Sequence, residues 1–147
     1  MASPHVAGTV ALMFAARQPA LAALVTVAAP LHPEKFPHRI LTLPQLEEWR
    51  RRGFIHYNGQ RLNVSLLMDL ESIDVPACAR EVACPVLILH GDADEVVPVE
   101  EACELNECLK DPKRLSVYAG TDHRFSAPAA MRRAMDEALE WLTRHVG

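Results

Sequence analysis

Hydrophobic positions gather into three short runs, and the stretches between them carry a helical period. Pro85-Val86-Leu87-Ile88-Leu89-His90 is apolar almost throughout, rich in branched residues, and stops at Gly91. Arg114-Leu115-Ser116-Val117-Tyr118-Ala119 is similar and stops at Gly120, while Leu24-Val25-Thr26-Val27-Ala28 comes earlier and ends before Pro30. Strands covered on both faces lack the strict alternation of half-exposed strands, so these runs predict a parallel sheet. The intervening segments read as helices. Ala7 to Arg17 is rich in Ala, Leu and Met, Val99 to Leu109 follows a Pro98 start signal, and Pro128 opens a final helix. In that last helix Met131, Met135, Ala138 and Leu142 recur at helical spacing. Strand, helix, strand, helix is an α/β layout of about three parallel strands with flanking helices and right-handed crossovers.

Residues 31–83 break the rhythm. Gln45 to Arg52 predicts a short helix ending at Gly53. Phe54 to Tyr57, the pair Asn58-Gly59, and Gln60 to Val64 then predict a hairpin with a two-residue type I′ turn. A plain connection between parallel strands is rarely longer than about 15 residues, so this stretch is expected to be a helix-plus-hairpin cap insertion. The chain, residues 1–147, is expected to form one domain around it. There are no internal repeats and no low-complexity tracts.

Composition narrows the function classes. The chain has 147 residues and is 50% hydrophobic, which excludes a disordered chain. Lysine and arginine number 15 against 19 Asp and Glu, a net charge of -4, so no nucleic-acid surface is expected. No apolar run approaches the roughly 20 residues that cross a bilayer, and no membrane association is expected. Met1-Ala2-Ser3-Pro4-His5 lacks the basic start of a secretory signal, so a soluble, cytoplasmic protein is the expectation. Cys78, Cys84, Cys103 and Cys108 form no C-x-x-C pair and read as reduced thiols beside apolar residues.

Two loops carry the candidate chemistry. His90-Gly91-Asp92-Ala93-Asp94-Glu95-Val96-Val97-Pro98 follows one strand, and Gly120-Thr121-Asp122-His123-Arg124-Phe125 follows the next. Neighbouring strands lie about 4.8 Å apart, so both loops would emerge together at the carboxyl edge, where open α/β sheets place their sites. An acid on one loop can then fix the tautomer of a histidine on the other, and Asp94 with His123 is the natural pair. The bland alternatives are a helix cap for Asp94, a turn for Asp92 and a surface position for His123. His90, Asp92 and Asp94 also spell H-x-D-x-D, but no further ligand accompanies them, so neither metal nor organic cofactor is expected.

Residues Pro85 to Pro98, with Gly120 to Phe125 after them, resemble the C-terminal half of α/β-hydrolase-fold serine esterases. The likeness is to the carboxylesterase, feruloyl-esterase and serine-aminopeptidase-like branch, and it runs from about Gly8 to the C-terminus. It implies that Asp94, the last Asp of the H-G-x-x-D-x-x-V-P segment, is the acid of a catalytic triad. It likewise implies that His123, after the last strand, is the triad histidine. The fold implied is a truncated α/β-hydrolase, since that family's sheet has about eight strands.

The nucleophile departs from that pattern. A G-x-S-x-G elbow is required between a strand and a helix. Here that register holds Ser3-Pro4-His5-Val6-Ala7, with His5 at the serine position and Ser3 at the first glycine. Residues 1–8, Met1-Ala2-Ser3-Pro4-His5-Val6-Ala7-Gly8, resemble instead the segment after the nucleophile of subtilisin-like serine proteases. No subtilase histidine or aspartate motif follows, so no protease is inferred. The resemblance implies an esterase-like hydrolase of short acyl esters, with His123 as base, Asp94 orienting it and Ser3 the first candidate nucleophile. Ser126, Ser65 and Ser72 are lesser candidates. The alternative is a non-catalytic remnant acting as an oligomerising scaffold. A small ester is the expected ligand, and a homo-oligomer is expected to cover the unpaired edge of the Leu24–Ala28 strand.

Overall fold

The computed structural model describes residues 4–146. Its sheet is built around β4 (Val86–Gly91), buried at all six positions. β1 (Leu24–Val27) lies parallel to it on one side, with Leu24 opposite Val86. β5 (Lys113–Tyr118) lies parallel on the other, with Val86 opposite Lys113 and Gly91 opposite Tyr118. The order is β1-β4-β5 and both pairs are parallel, as the three apolar runs predict for a parallel sheet.

Among the described residues only β4 of this sheet is sealed on both faces. Val27 on β1 and Val117 on β5 are exposed, which corrects the expectation that all three runs are fully buried. The reason lies in the order of the strands: each flanking strand has a neighbour on one side only among the described residues.

Among the described residues, four helices flank this sheet. α1 (Pro4–Ala16) carries Leu12 and Ala15 into the core, and its Thr9 hydroxyl donates to the Pro30 carbonyl beyond β1 at 2.7 Å. α5 (Val75–Glu81) packs on α1 and buries Val75 and Ala79. α6 (Val99–Cys108) follows Pro98 and buries Ala102 and Leu105. The Lys113 ammonium closes the far end of α6 by donating to the carbonyls of Asn106 at 2.6 Å and Leu109 at 2.8 Å. α7 (Pro128–Val146) lays Ala134 and Trp141 against Leu87, Leu89, Tyr118 and Phe125.

The face that α7 buries differs from the spacing of its larger side chains. Ala130, Ala134, Ala138 and Trp141 turn to the core, whereas Met131, Met135 and Leu142 are exposed together with Leu139 and Val146. The helix thus carries two adjacent apolar stripes. The alanine stripe admits close approach to the sheet, and Trp141 supplies the bulk.

Residues His32–Asp74 form a compact unit of their own. It holds a short 3-10 turn at Pro33–Lys35, α2 (Phe36–Ile40), α3 (Leu43–Arg52), the strands β2 (Phe54–Tyr57) and β3 (Gln60–Asn63), and α4 (Val64–Ser72). The core of this unit is Leu46, Trp49 and Leu67, with Leu41, Ile55, Leu62 and Val64 packed around them. Thr42 and Gln45 form a capping box at the start of α3, and Gly53 ends it in a left-handed conformation. Asn58 and Gly59 turn the hairpin with φ of 49° and 75°, as a type I′ turn requires. The hairpin is shorter than the sequence predicts. Asn63 ends β3 and caps α4, its side chain accepting from the Ser65 amide at 3.1 Å, so Val64 begins a helix.

Gly91 sits where β4 leaves the sheet, and a Cβ there would lie 2.0 Å from the Thr121 carbonyl oxygen. Gly120 instead has a φ of 63° and open space around its missing Cβ. Gly91→Ala is therefore expected to cost about 3 kcal/mol through backbone displacement, and Gly120→Ala about 1 kcal/mol through its left-handed φ. Chemical denaturation of both variants checks this, and equal losses would contradict the steric account.

Candidate active site

The two loops at the carboxyl edge of β4 and β5 are stitched together by backbone and side-chain bonds. The Asp92 amide donates to the Tyr118 carbonyl and the Ala93 amide to the Thr121 carbonyl, each at 3.1 Å. The Asp92 carboxylate accepts from the Gly120 amide at 2.6 Å. That contact fixes the entry to the second loop, which is a structural duty for Asp92. Phe125, buried against the Tyr118 ring at 5.4 Å between centroids, holds the other end in a left-handed conformation with φ 52°.

This framework brings Asp94 and His123 together. The His123 Nδ1 lies 2.8 Å from Asp94 Oδ2. The other carboxylate oxygen, Oδ1, accepts from the amides of Val96 and Val97, both at 2.8 Å. The Asp94 side chain is fully buried, and that of His123 is 13% exposed. Burial pushes the Asp94 carboxyl upward. The hydrogen bonds from His123 and from the Val97 and Val96 amides outweigh it, and the carboxyl lies below the ordinary carboxylate range. An ionised acid bonded to Nδ1 requires the proton on that nitrogen, which leaves Nε2 as the basic atom of the ring.

The serines are placed differently. Ser126 is held by Asp122, its amide and hydroxyl donating to the carboxylate at 2.7 and 2.6 Å. Those two bonds lower the Asp122 carboxyl. Ser116 donates to Glu137 on the α7 side of the sheet, and Ser72 donates to the Asp69 carbonyl. Ser65 lies in the first turn of α4. Ser3 lies outside the described residues. His5, at the position of the elbow serine, is in the first turn of α1.

Of the H-x-D-x-D residues, Asp92 turns away to the Gly120 amide, while Asp94 lies between His123 and His90, whose Nε2 is on the Val97 carbonyl; no group of three metal-binding side chains occurs among the described residues. No described helix is long and apolar enough to cross a membrane. All four cysteines are free thiols, and burial raises that of Cys84.

Two features of the site escape the sequence. One is the use of the Val96 and Val97 amides as donors, which side-chain motifs do not record. The other is His90, wholly buried with Nε2 2.8 Å from the Val97 carbonyl and 3.3 Å from Asp94 Oδ2. The signal available was a histidine closing an otherwise apolar strand.

Parallel strands with flanking helices make an α/β architecture, and the likeness to solved structures shows it to be that of the α/β-hydrolase fold. Residues 8–147 match the prolyl oligopeptidase family, and the chain belongs to that family. Among solved structures, the esterase domain of a Rhodothermus marinus protein superposes with a TM-score of 0.74 at 23% identity, over 97% of this chain and 59% of that one. Est1E from Butyrivibrio proteoclasticus also gives 0.74, at 21% identity over 94% of this chain and 59% of its own. A non-heme haloperoxidase of Rhodococcus erythropolis is 33% identical over 85 residues, 53% of this chain and 28% of that protein. A bifunctional esterase/perhydrolase of Acinetobacter calcoaceticus is 29% identical over 97 residues, 65% of this chain and 34% of that protein. The chain thus spans about a third of the curated relatives' length. The residues with the subtilisin-like string fall almost wholly before the matched segment.

The lowered Asp94 carboxyl gives a signed prediction. Its ionised form contributes stability above the unfolded value near 3.8, and that contribution is lost as pH falls through the lower native value. Asp94→Asn is expected to flatten this part of the acid limb while leaving the curve above it parallel to wild type. Denaturation as a function of pH measures it, and an unchanged acid limb would count against an ionised, clamped Asp94.

Proposed function

We propose that this chain carries the acid and base of a serine esterase acting on short acyl esters. The observation that supports this most is the 2.8 Å contact of His123 Nδ1 with a buried Asp94 carboxylate already held by two amides. In the proposed reaction a serine Oγ attacks the ester carbonyl while His123 Nε2 takes the hydroxyl proton. The alkoxide leaves with that proton, giving an alcohol and an acyl-serine. Water then adds with His123 again as base, releasing the acid and restoring the serine. Asp94 holds the ring and stabilises its cationic form during both steps. Ser3 is the first candidate for the nucleophile. The ester chemistry agrees with the names of the relatives, an esterase domain and an esterase/perhydrolase among them.

Fluorophosphonate labelling with intact mass and peptide mapping tests the reading. A single stoichiometric adduct is expected, absent in His123→Ala, with p-nitrophenyl acetate hydrolysis falling about a thousandfold in that variant. Folded protein with no adduct would overturn it.

A second copy is proposed to cover the open side of β1. Among the described residues β1 pairs only with β4, and Val27 on the strand and Val10 and Phe14 on α1 are exposed. Two such edges can pair across a two-fold axis using one kind of chain. Size exclusion with light scattering is expected to give a dimer, and a monodisperse monomer at micromolar concentration would contradict it.

A further inference from the structure

Asp94 Oδ2 is approached by two histidines, not one. His123 Nδ1 is 2.8 Å away and His90 Nε2 is 3.3 Å away, and neither the Asp94 nor the His90 side chain touches solvent. The second histidine is also bonded to the Val97 carbonyl at 2.8 Å, while the Val97 amide donates to Asp94 Oδ1. His90, Val97 and Asp94 therefore close a ring of contacts around one carboxylate.

The ring determines which His90 nitrogen carries the proton. The Val97 carbonyl and the Asp94 carboxylate are both acceptors, so Nε2 must be the donor. Nδ1 is buried with no hydrogen-bond partner. A bare nitrogen lone pair there is tolerable, whereas a buried N–H with nothing to accept it would cost far more. We propose that His90 is a positioning residue whose Nε2–H, shared between Val97 and Asp94, keeps Oδ2 aimed at His123 Nδ1. This rests on the esterase reading for its purpose, because an aimed Asp94 is what holds His123 with Nε2 as the base.

The proposal separates His90 from a core-filling residue. A space filler would affect stability alone. A donor to Oδ2 also affects the tautomer of a different side chain, His123, which touches Asp94 from another loop. Without that donor the two amides still hold Oδ1, but Oδ2 is held by His123 alone. The carboxylate can then tilt about its amide-bound oxygen, and His123 shifts toward the mixed tautomers of a free imidazole.

Long-range proton–nitrogen correlation on the full chain, labelled with nitrogen-15 histidine and held at about pH 8 where free imidazoles are neutral, reads both rings. In wild type the expected result is a proton on Nε2 of His90 and on Nδ1 of His123. A proton on His90 Nδ1 would overturn the proposal without any variant. His90→Gln, whose amide reaches the Nε2 position, is expected to keep His123 in the Nδ1–H form. His90→Leu is expected to lose it, and a folded His90→Leu protein with His123 unchanged would also overturn the proposal. If His90→Leu does not fold, His90→Asn replaces it, because its amide falls short of the Nε2 position. Loss in Asn with retention in Gln supports the donor role, and equal behaviour of the two contradicts it. None of these readouts needs substrate or a nucleophile. A missing fluorophosphonate adduct with the expected tautomers would reject the esterase while leaving the role of His90 standing.

Discussion

The Asp94 carboxylate is a charge withdrawn from water, and the geometry around it follows from what that withdrawal demands. A buried carboxylate is tolerated only when its lone pairs are occupied by donors. Here the Val96 and Val97 amides occupy one oxygen and His123 occupies the other, with His90 Nε2 3.3 Å from that second oxygen. Each donor fixes a piece of chain. The two amides set the loop after β4, His123 sets the loop after β5, and His90 ties the end of β4 to both. The central strand can reach this position because β1 and β5 cover its edges and helices cover its faces. Gly91 lets the second loop approach to a distance no side chain would permit.

The same economy appears away from the carboxylate. Glu101 is a second buried acid, in the first turn of α6, and it accepts from the Leu31 amide at 2.9 Å. That bond joins the chain leaving β1 to the helix that follows the Asp94 loop. Both acids act as acceptors for backbone amides that a turn leaves without a partner in the sheet. On the far side, Glu137 accepts from Ser116 and from Tyr118, and burial, with that glutamate beside it, pushes the Tyr118 hydroxyl up to about 12. The last strand is thus fastened to α7 on a single face, by the Ser116 and Tyr118 hydroxyls to Glu137 and by the packing of Tyr118 with Phe125 and Trp141.

What the sequence made legible was whatever depends on local composition. The branched run ending at Gly91, the helix behind Pro98 and the Asn58-Gly59 turn are read from neighbours along the chain, and all three are found as expected. The Asp94–His123 contact was legible because two loops after adjacent parallel strands must emerge side by side. What depended on tertiary packing was not. Two apolar stripes run along α7, and their periods are the same. Only the distance to Leu87 and Leu89 decides that the alanines and Trp141 go inward. Val64 favours a strand by its branching, but the Asn63 cap makes it the first residue of a helix. His90 read as part of a metal-like spacing because spacing ignores direction, and its side chain points into the core.

A histidine–aspartate pair is chemically useful only if the acid has nowhere else to turn. An exposed aspartate exchanges partners with water, and the imidazole it contacts then has no reason to prefer one tautomer. Burial removes that competition but creates a cost that two amides and a single histidine meet incompletely, since Oδ2 has a second lone pair. The sheet end supplies that last donor from its own central strand, the element least able to move. A site assembled this way is held by the same hydrogen bonds that stabilise the fold. The orientation of His123 is therefore a property of the folded domain itself. It also explains why the His90 nitrogen with no partner is acceptable: the nitrogen that matters is the other one, and its proton is committed.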